Sequence, residues 1–416
     1  MIKNILISLI LSALLVGCVK PDTRTVIKFS SWGSESEVKI LKPVIEEFEK
    51  QNPDIKVDFM HIPNNYAQKL HLLVASNLTP DVIFINNYSA PLYFENNVFL
   101  NLNPYLKKDN LIKEKDFYSG ALKGFRKGNN LYAVPRDISN LVVYYNKDIF
   151  DKYHVKYPDE NWTYDDFLAT AKKLTKDTNN DGRTDVFGVG FEELPLFWMP
   201  FLWSNGGDLV DIQTKMVEIN KPQSLEGLQF YVDLRNKHHV APTRAELGSL
   251  RNSQMFLNQK IAMQISGRWS VPRYRTDADF DWDIAKFPNG KVGSIVDVDS
   301  SGWAISKTSQ NPDKAWRLVR FLASKNSIAA FSKDGLIIPA RIDVANSNTF
   351  LSKGEKPAHS KIFLEAIKTA KTTPANKNFQ EIQDVTIEIL EPVFNGQKTV
   401  KEAFTSDTIN KLKTLL

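Results

Sequence analysis

Asp81-Val82-Ile83-Phe84-Ile85 is the stretch on which the fold turns. Its apolar run offers no polar face to water, which is the mark of a parallel strand covered by helices on both sides. Upstream, Tyr66, Leu70, Leu73 and Val74 recur at helical spacing within residues 65–76. Residues 55–60 read as a second strand. Before them, Val38, Leu41, Val44, Ile45 and Phe48 share one helical face. Ser34 with Glu37 three residues on predicts a capping box at the start of that helix. Asn52-Pro53 predicts its end, because a residue before proline disfavours the helical region. Residues 26–30 complete a strand–helix–strand–helix–strand series, which predicts an α/β domain with a parallel sheet.

The pattern continues downstream. Residues 141–145, 186–189, 261–265 and 303–305 read as strands. Thr163 caps a helix carrying Phe167, Leu168, Ala171 and Leu174. Asn311-Pro312 opens another, filled by Trp316, Val319, Phe321 and Leu322. Residues 380–416 read as helical. No internal repeat or low-complexity linker separates the halves, so two lobes would be joined by several strands rather than by one tether.

The N-terminus speaks to compartment. Lys3 precedes an apolar run at 5–16, too short for about 30 Å of hydrocarbon but fitted to the h-region of a cleaved signal peptide. Leu15-Val16-Gly17-Cys18 resembles a bacterial lipobox, in which Cys18 carries the lipid and residues 1–17 are removed. Residues 18–23 then tether an exported domain to the cell envelope, in the periplasm or at the outer face of the cytoplasmic membrane. Cys18 is the only cysteine, so the mature domain has no disulfide and relies on its core. The chain has 53 basic and 48 acidic residues, a net +5 with both signs mixed, which argues against a nucleic-acid partner. The 6 His show no metal-ligand spacing, and the common hydrolase, phosphate and dinucleotide motifs are missing. The notable excess is aromatic: 8 Trp, 13 Tyr and 25 Phe.

Several short motifs, in order, resemble bacterial extracellular solute-binding proteins of family 1, the sugar-binding lipoproteins of ABC importers. They are Trp32-Gly33, Thr79-Pro80-Asp81-Val82, Tyr132-Ala133-Val134-Pro135, Tyr144-Tyr145-Asn146-Lys147-Asp148-Ile149-Phe150, Asn205-Gly206-Gly207, Gly267-Arg268-Trp269 and Gly302-Trp303-Ala304-Ile305-Ser306. The resemblance implies a two-lobed periplasmic-binding-protein fold of type II. Residues 24–136 and 300–337 would form one lobe, and 137–299 and 338–416 the other. Three hinge crossings would fall near 136–140, 298–301 and 336–341. Ligand would sit between the lobes at the carboxyl ends of the strands. The implied protein is a monomer, not an enzyme, and its partners are a carbohydrate and the permease subunits.

A sugar presents hydroxyls all round and apolar C–H faces, so its receptor needs aromatic platforms and planar polar groups. By motif position the candidates are Trp32, Asn86, Asn87, Tyr88, Arg136, Asp137, Arg268, Trp269, Asp299, Trp303 and Arg341. The resemblance gives Trp269 the stacking role, while Trp303 reads equally as platform or core. Convergence of Arg136, Arg268 and Arg341 would imply an anionic sugar. Asp177, Asn179, Asp181, Arg183 and Asp185, with glycine at position six, match the start of a calcium loop, but position twelve is Gly188 instead of glutamate. A cofactor is otherwise not expected. Two alternatives stand beside the receptor: an envelope-tethered carbohydrate-active enzyme, and a binding protein for a non-sugar solute such as glycerol phosphate.

Overall fold

A computed structural model describes residues 22–351 and 354–416. The expected signal peptide, the expected lipidation site Cys18 and the first part of the expected tether lie outside the described residues. Among the described residues no helix is long and apolar enough to cross a membrane.

Two sheets organise the chain. The first is built from β1 (Thr25–Ser31), β2 (Ile55–His61), β3 (Val82–Asn86) and β4 (Ala133–Ser139). The second holds β5 (Val142–Asn146), β6 (Phe187–Val189), β7 (Ile261–Ser266) and β8 (Trp282–Ala285). The chain then returns to the first sheet with β9 (Asp299–Ile305) and β10 (Ile338–Pro339). The strand orders are β10-β4-β9-β3-β1-β2 and β8-β5-β7-β6.

The β1–β2–β3 group is parallel, as its apolar runs predict. The wholly parallel expectation fails at β9, which is antiparallel to both β3 and β4. This strand enters from the other sheet and so runs back toward the amino ends of β1 and β3. In the second sheet β5 is antiparallel to both neighbours.

Local signals hold where they were read. The helix Glu35–Gln51 starts at a Ser34/Glu37 capping box and buries Leu41, Val44, Ile45 and Phe48. Alternation along β5 divides two cores: Val142 and Tyr144 join the cluster that fills the first lobe, whereas Val143 and Tyr145 face the second. The second sheet is therefore covered on both faces, and its inner face is continuous with the first-lobe core.

The chain passes between sheets at 140–141, again just before Asp299, and a third time beyond Pro339. β4 stays in the first sheet to Ser139, and the helices Ile342–Ala345 and Asn348–Leu351 still pack on the first-lobe helix Lys325–Lys333. The third passage is therefore a long one. Lys371 pairs with Asp297 as a parallel bridge, so residues near 371 run beside the second crossing.

Candidate functional site

Register places the candidates on facing edges. The carboxyl ends of β1 and β3 carry Trp32 and Asn86–Tyr88, and the register Ser301↔Asn86 brings the start of β9 to the same edge. In the second sheet, Ser266 at the end of β7 pairs with Val142, the first residue after the crossing. Gly267-Arg268-Trp269 therefore leaves that sheet on its crossing-side edge, where open α/β sheets bind ligands.

The aromatic platforms differ in exposure. Trp269 is 40 % exposed, the largest exposure of any tryptophan among the described residues. Trp32 is half-buried, its ring 4.3 Å from Phe84 and edge-on to Tyr66 at 5.1 Å. Tyr66 is in turn fixed to Ser30 by a 2.9 Å hydroxyl contact. Tyr88 packs on Phe379, 6.2 Å away in the second-lobe helix Phe379–Phe394. Asn86 turns its carbonyl oxygen onto the Ser89 N–H.

The remaining candidates point inward. Trp303 is 1 % exposed, packed between Phe84 and Phe331 in the middle of β9, so it is core and not a surface for ligand. Its register partner is Phe84, the ring under Trp32, and it supports the platform from beneath. Asn87 donates to Asp299 at 2.9 Å and accepts from the Ser300 N–H at 3.1 Å. Asp299 also accepts from the Thr373 hydroxyl at 2.6 Å and its N–H at 3.1 Å. Asp137 takes two guanidinium contacts from Arg136, at 2.7 and 2.6 Å, and the Ser301 N–H.

The three arginines do not converge on one point. Arg136 lies over Phe84 at 4.3 Å, paired with Asp137 and with Glu37 at 3.9 Å. Arg341 forms a two-pronged pair with Asp343 at 3.0 and 3.1 Å, with Asp116 3.7 Å away. Arg268 is 2 % exposed and stacks on Phe350 at 4.2 Å, donating to the Phe350 carbonyl at 3.2 Å. Among the described residues its Nε has no partner, and burial lowers its pKa to about 10. It binds the second sheet to the third crossing, so the expectation of a ligand-facing Arg268 and Arg341 is corrected.

Sequence reasoning passed over Asp297. It is fully buried, with one oxygen 3.3 Å from the Ser139 hydroxyl and the other without a partner among the described residues. Burial, then the neighbouring Asp299 charge, push its carboxyl well above the usual range. The signal was present as Asp297-Val298-Asp299, two carboxylates on one face of an extended segment.

The polar side chains of the loop at 177–185 bond to the loop's own N–H groups. Asp177 accepts from the Gly182 and Asp181 N–H groups, Asn179 also from Asp181, and Asp181 from Arg183. Asp185 accepts the Thr178 N–H and hydroxyl. At position twelve, any β-carbon on Gly188 would meet the Ala171 carbonyl oxygen at 2.1 Å, so no carboxylate can stand there. Among the described residues no group of three or more acidic, histidine or cysteine side chains is placed to hold a metal ion.

Two sheets joined by crossing strands, with Trp32, Asn86, Tyr88 and Trp269 at their crossing-side edges, define a type II periplasmic-binding-protein fold. A family model described as bacterial extracellular solute-binding protein matches residues 32–327, and the chain belongs to that family. Its fold matches that of the ABC substrate-binding protein Lmo0181 of Listeria monocytogenes, solved in complex with cycloalternan. The TM-score is 0.87 with 27 % identity, over 94 % of this chain and 98 % of that one. It is 24 % identical over 390 residues to the galactooligosaccharide-binding protein of Bacillus subtilis, covering 89 % of this chain and 86 % of the relative. A binding protein of Brucella abortus (strain 2308) is 22 % identical over 383 residues, 90 % of each chain.

Proposed function

We propose that this chain is the exported, lipid-anchored receptor of an ABC importer, that it captures a neutral carbohydrate between its lobes, and that it catalyses nothing. The observation that carries the reading is Trp269, an exposed indole in the turn Arg268–Ser270 that follows a fully buried strand. An aromatic face in that position suits the apolar C–H face of a sugar ring. Trp32, Asn86 and Tyr88 supply the opposing edge.

A neutral ligand is favoured because Arg136 and Arg341 are already paired with carboxylates and Arg268 is interior. An anionic ligand would have to break those pairs. The carbohydrate class is supported by the sugar-binding relatives and by the cycloalternan complex of the Listeria protein. Cys18 would hold the lipid, residues 18–23 the tether, and the permease would meet the monomer with its lobes closed. Ligand shifts the hinge only by its greater affinity for the closed form.

A thermal-shift screen of the purified protein against neutral, acidic and phosphorylated sugars tests this, with chromatography of each incubation. The expected result is a raised melting temperature with a neutral mono- or oligosaccharide and no new product. Stabilisation by phosphorylated compounds alone, or the appearance of cleavage products, would contradict it.

A further inference from the structure

Gly267 has an ordinary extended backbone, φ −97° and ψ −177°, which any residue adopts. Chain geometry therefore does not explain the glycine. The side chain two residues on does. A β-carbon at 267 would lie 2.0, 2.3 and 2.4 Å from Cζ3, Cη2 and Cε3 of Trp269. These are carbons of the six-membered ring, so one side of the indole rests directly on the Gly267 backbone.

The seat is held from several directions. The Gly267 carbonyl accepts the buried Tyr144 hydroxyl at 2.8 Å. Ser266 and Ser270, on either side of the turn, join hydroxyls at 2.8 Å. Arg268 anchors the turn below through Phe350.

We propose that Gly267 is a positioning residue for the ligand platform: the missing side chain lets the Trp269 ring lie against the strand end and sets the height and tilt of its free face. This rests on the reading of Trp269 as a ligand contact. With any side chain at 267 the ring must lift off its seat and stand in the space that ligand would use.

The test is a cycle of Gly267→Ala, Trp269→Ala and the double variant in the full-length protein, with two readouts. The first needs no ligand. Acrylamide quenching of the Trp269 emission, taken as the difference from the Trp269→Ala protein, should increase in Gly267→Ala as the covered face is exposed. The second is binding of maltotriose as a probe: Gly267→Ala should weaken it about tenfold, comparable to loss of the platform itself, and should add less than about twofold in the Trp269→Ala background. Unchanged quenching, or independent and multiplicative effects on binding, would overturn the proposal. If Gly267→Ala alone fails to fold while the double variant folds, the clash with the indole is demonstrated; if both fail, the glycine serves the backbone and the proposal is wrong. If wild type ignores maltotriose, that sugar is excluded and quenching still decides the role of Gly267.

Discussion

Asn87 gives its side-chain amide to Asp299 at 2.9 Å, joining the end of β3 to the start of the strand that returns from the other sheet. The Asn87 side-chain oxygen accepts from the Ser300 N–H. Both residues stand where a ligand contact was expected, yet their polar atoms are consumed by each other and by Thr373. The carboxyl edge of the first sheet is thus braced by groups that resemble binding residues in sequence.

Asn87→Ala removes a donor from a buried carboxylate and leaves the Ser300 N–H without its acceptor. Orphaned buried polar groups cost about 1–3 kcal/mol each. Denaturant unfolding should show a loss of that order. Unchanged stability with lost ligand affinity would return Asn87 to the list of direct contacts.

Asp297 makes stability depend on pH in a defined direction. Burial and the Asp299 charge raise its folded-state pKa above the unfolded value, so the folded protein holds a proton that the unfolded chain has released. This contribution is complete below the ordinary aspartate pKa of about 3.9 and is lost as pH rises toward the raised value, at about 1.4 kcal/mol per pH unit within that window. Asp297→Asn should therefore lessen the fall in melting temperature as pH rises above about 4. Parallel profiles for variant and wild type would contradict the assignment. Comparing the two proteins cancels the opposing slopes of exposed pairs such as Asp54 with Arg317.

Trp303 and Trp269 should separate cleanly. Trp303→Ala empties the core between Phe84 and Phe331 and should cost about 3–5 kcal/mol in stability. Trp269→Ala removes a half-exposed ring and should change stability by less than about 1 kcal/mol. Equal losses in chemical denaturation would mean that Trp269 is a packing residue.

The loop at 177–185 should be indifferent to calcium. Its carboxylates are satisfied by the loop's own N–H groups, and Gly188 excludes the twelfth ligand. Adding calcium to chelator-treated protein should leave the melting temperature unchanged, and an upward shift would show a site.

The parts legible in sequence were those fixed by local chemistry. Ser34 and Glu37 announced a helix start, the run after Asp81 announced a strand, and helical spacing picked out Leu41, Val44, Ile45 and Phe48. The antiparallel course of β9 was not legible, because direction depends on which sheet the chain left. The burial of Trp303, Asn87 and Arg341 was not legible for a related reason. Each sits in a motif near a crossing, but whether it faces water is decided by distant partners: Phe331, Asp299 and Asp116 respectively. Trp269 stood out because its motif follows a strand directly, and its ring is 40 % exposed.

The most direct measurement is a calorimetric titration of wild type and Trp269→Ala with the sugar that best stabilises the protein. Saturable binding to wild type, weakened by roughly 1–3 kcal/mol in the variant while the melting temperature of the free protein holds, is the expected outcome. Identical affinities for the two proteins would remove the indole from the ligand's path and, with it, the carbohydrate cleft inferred around it.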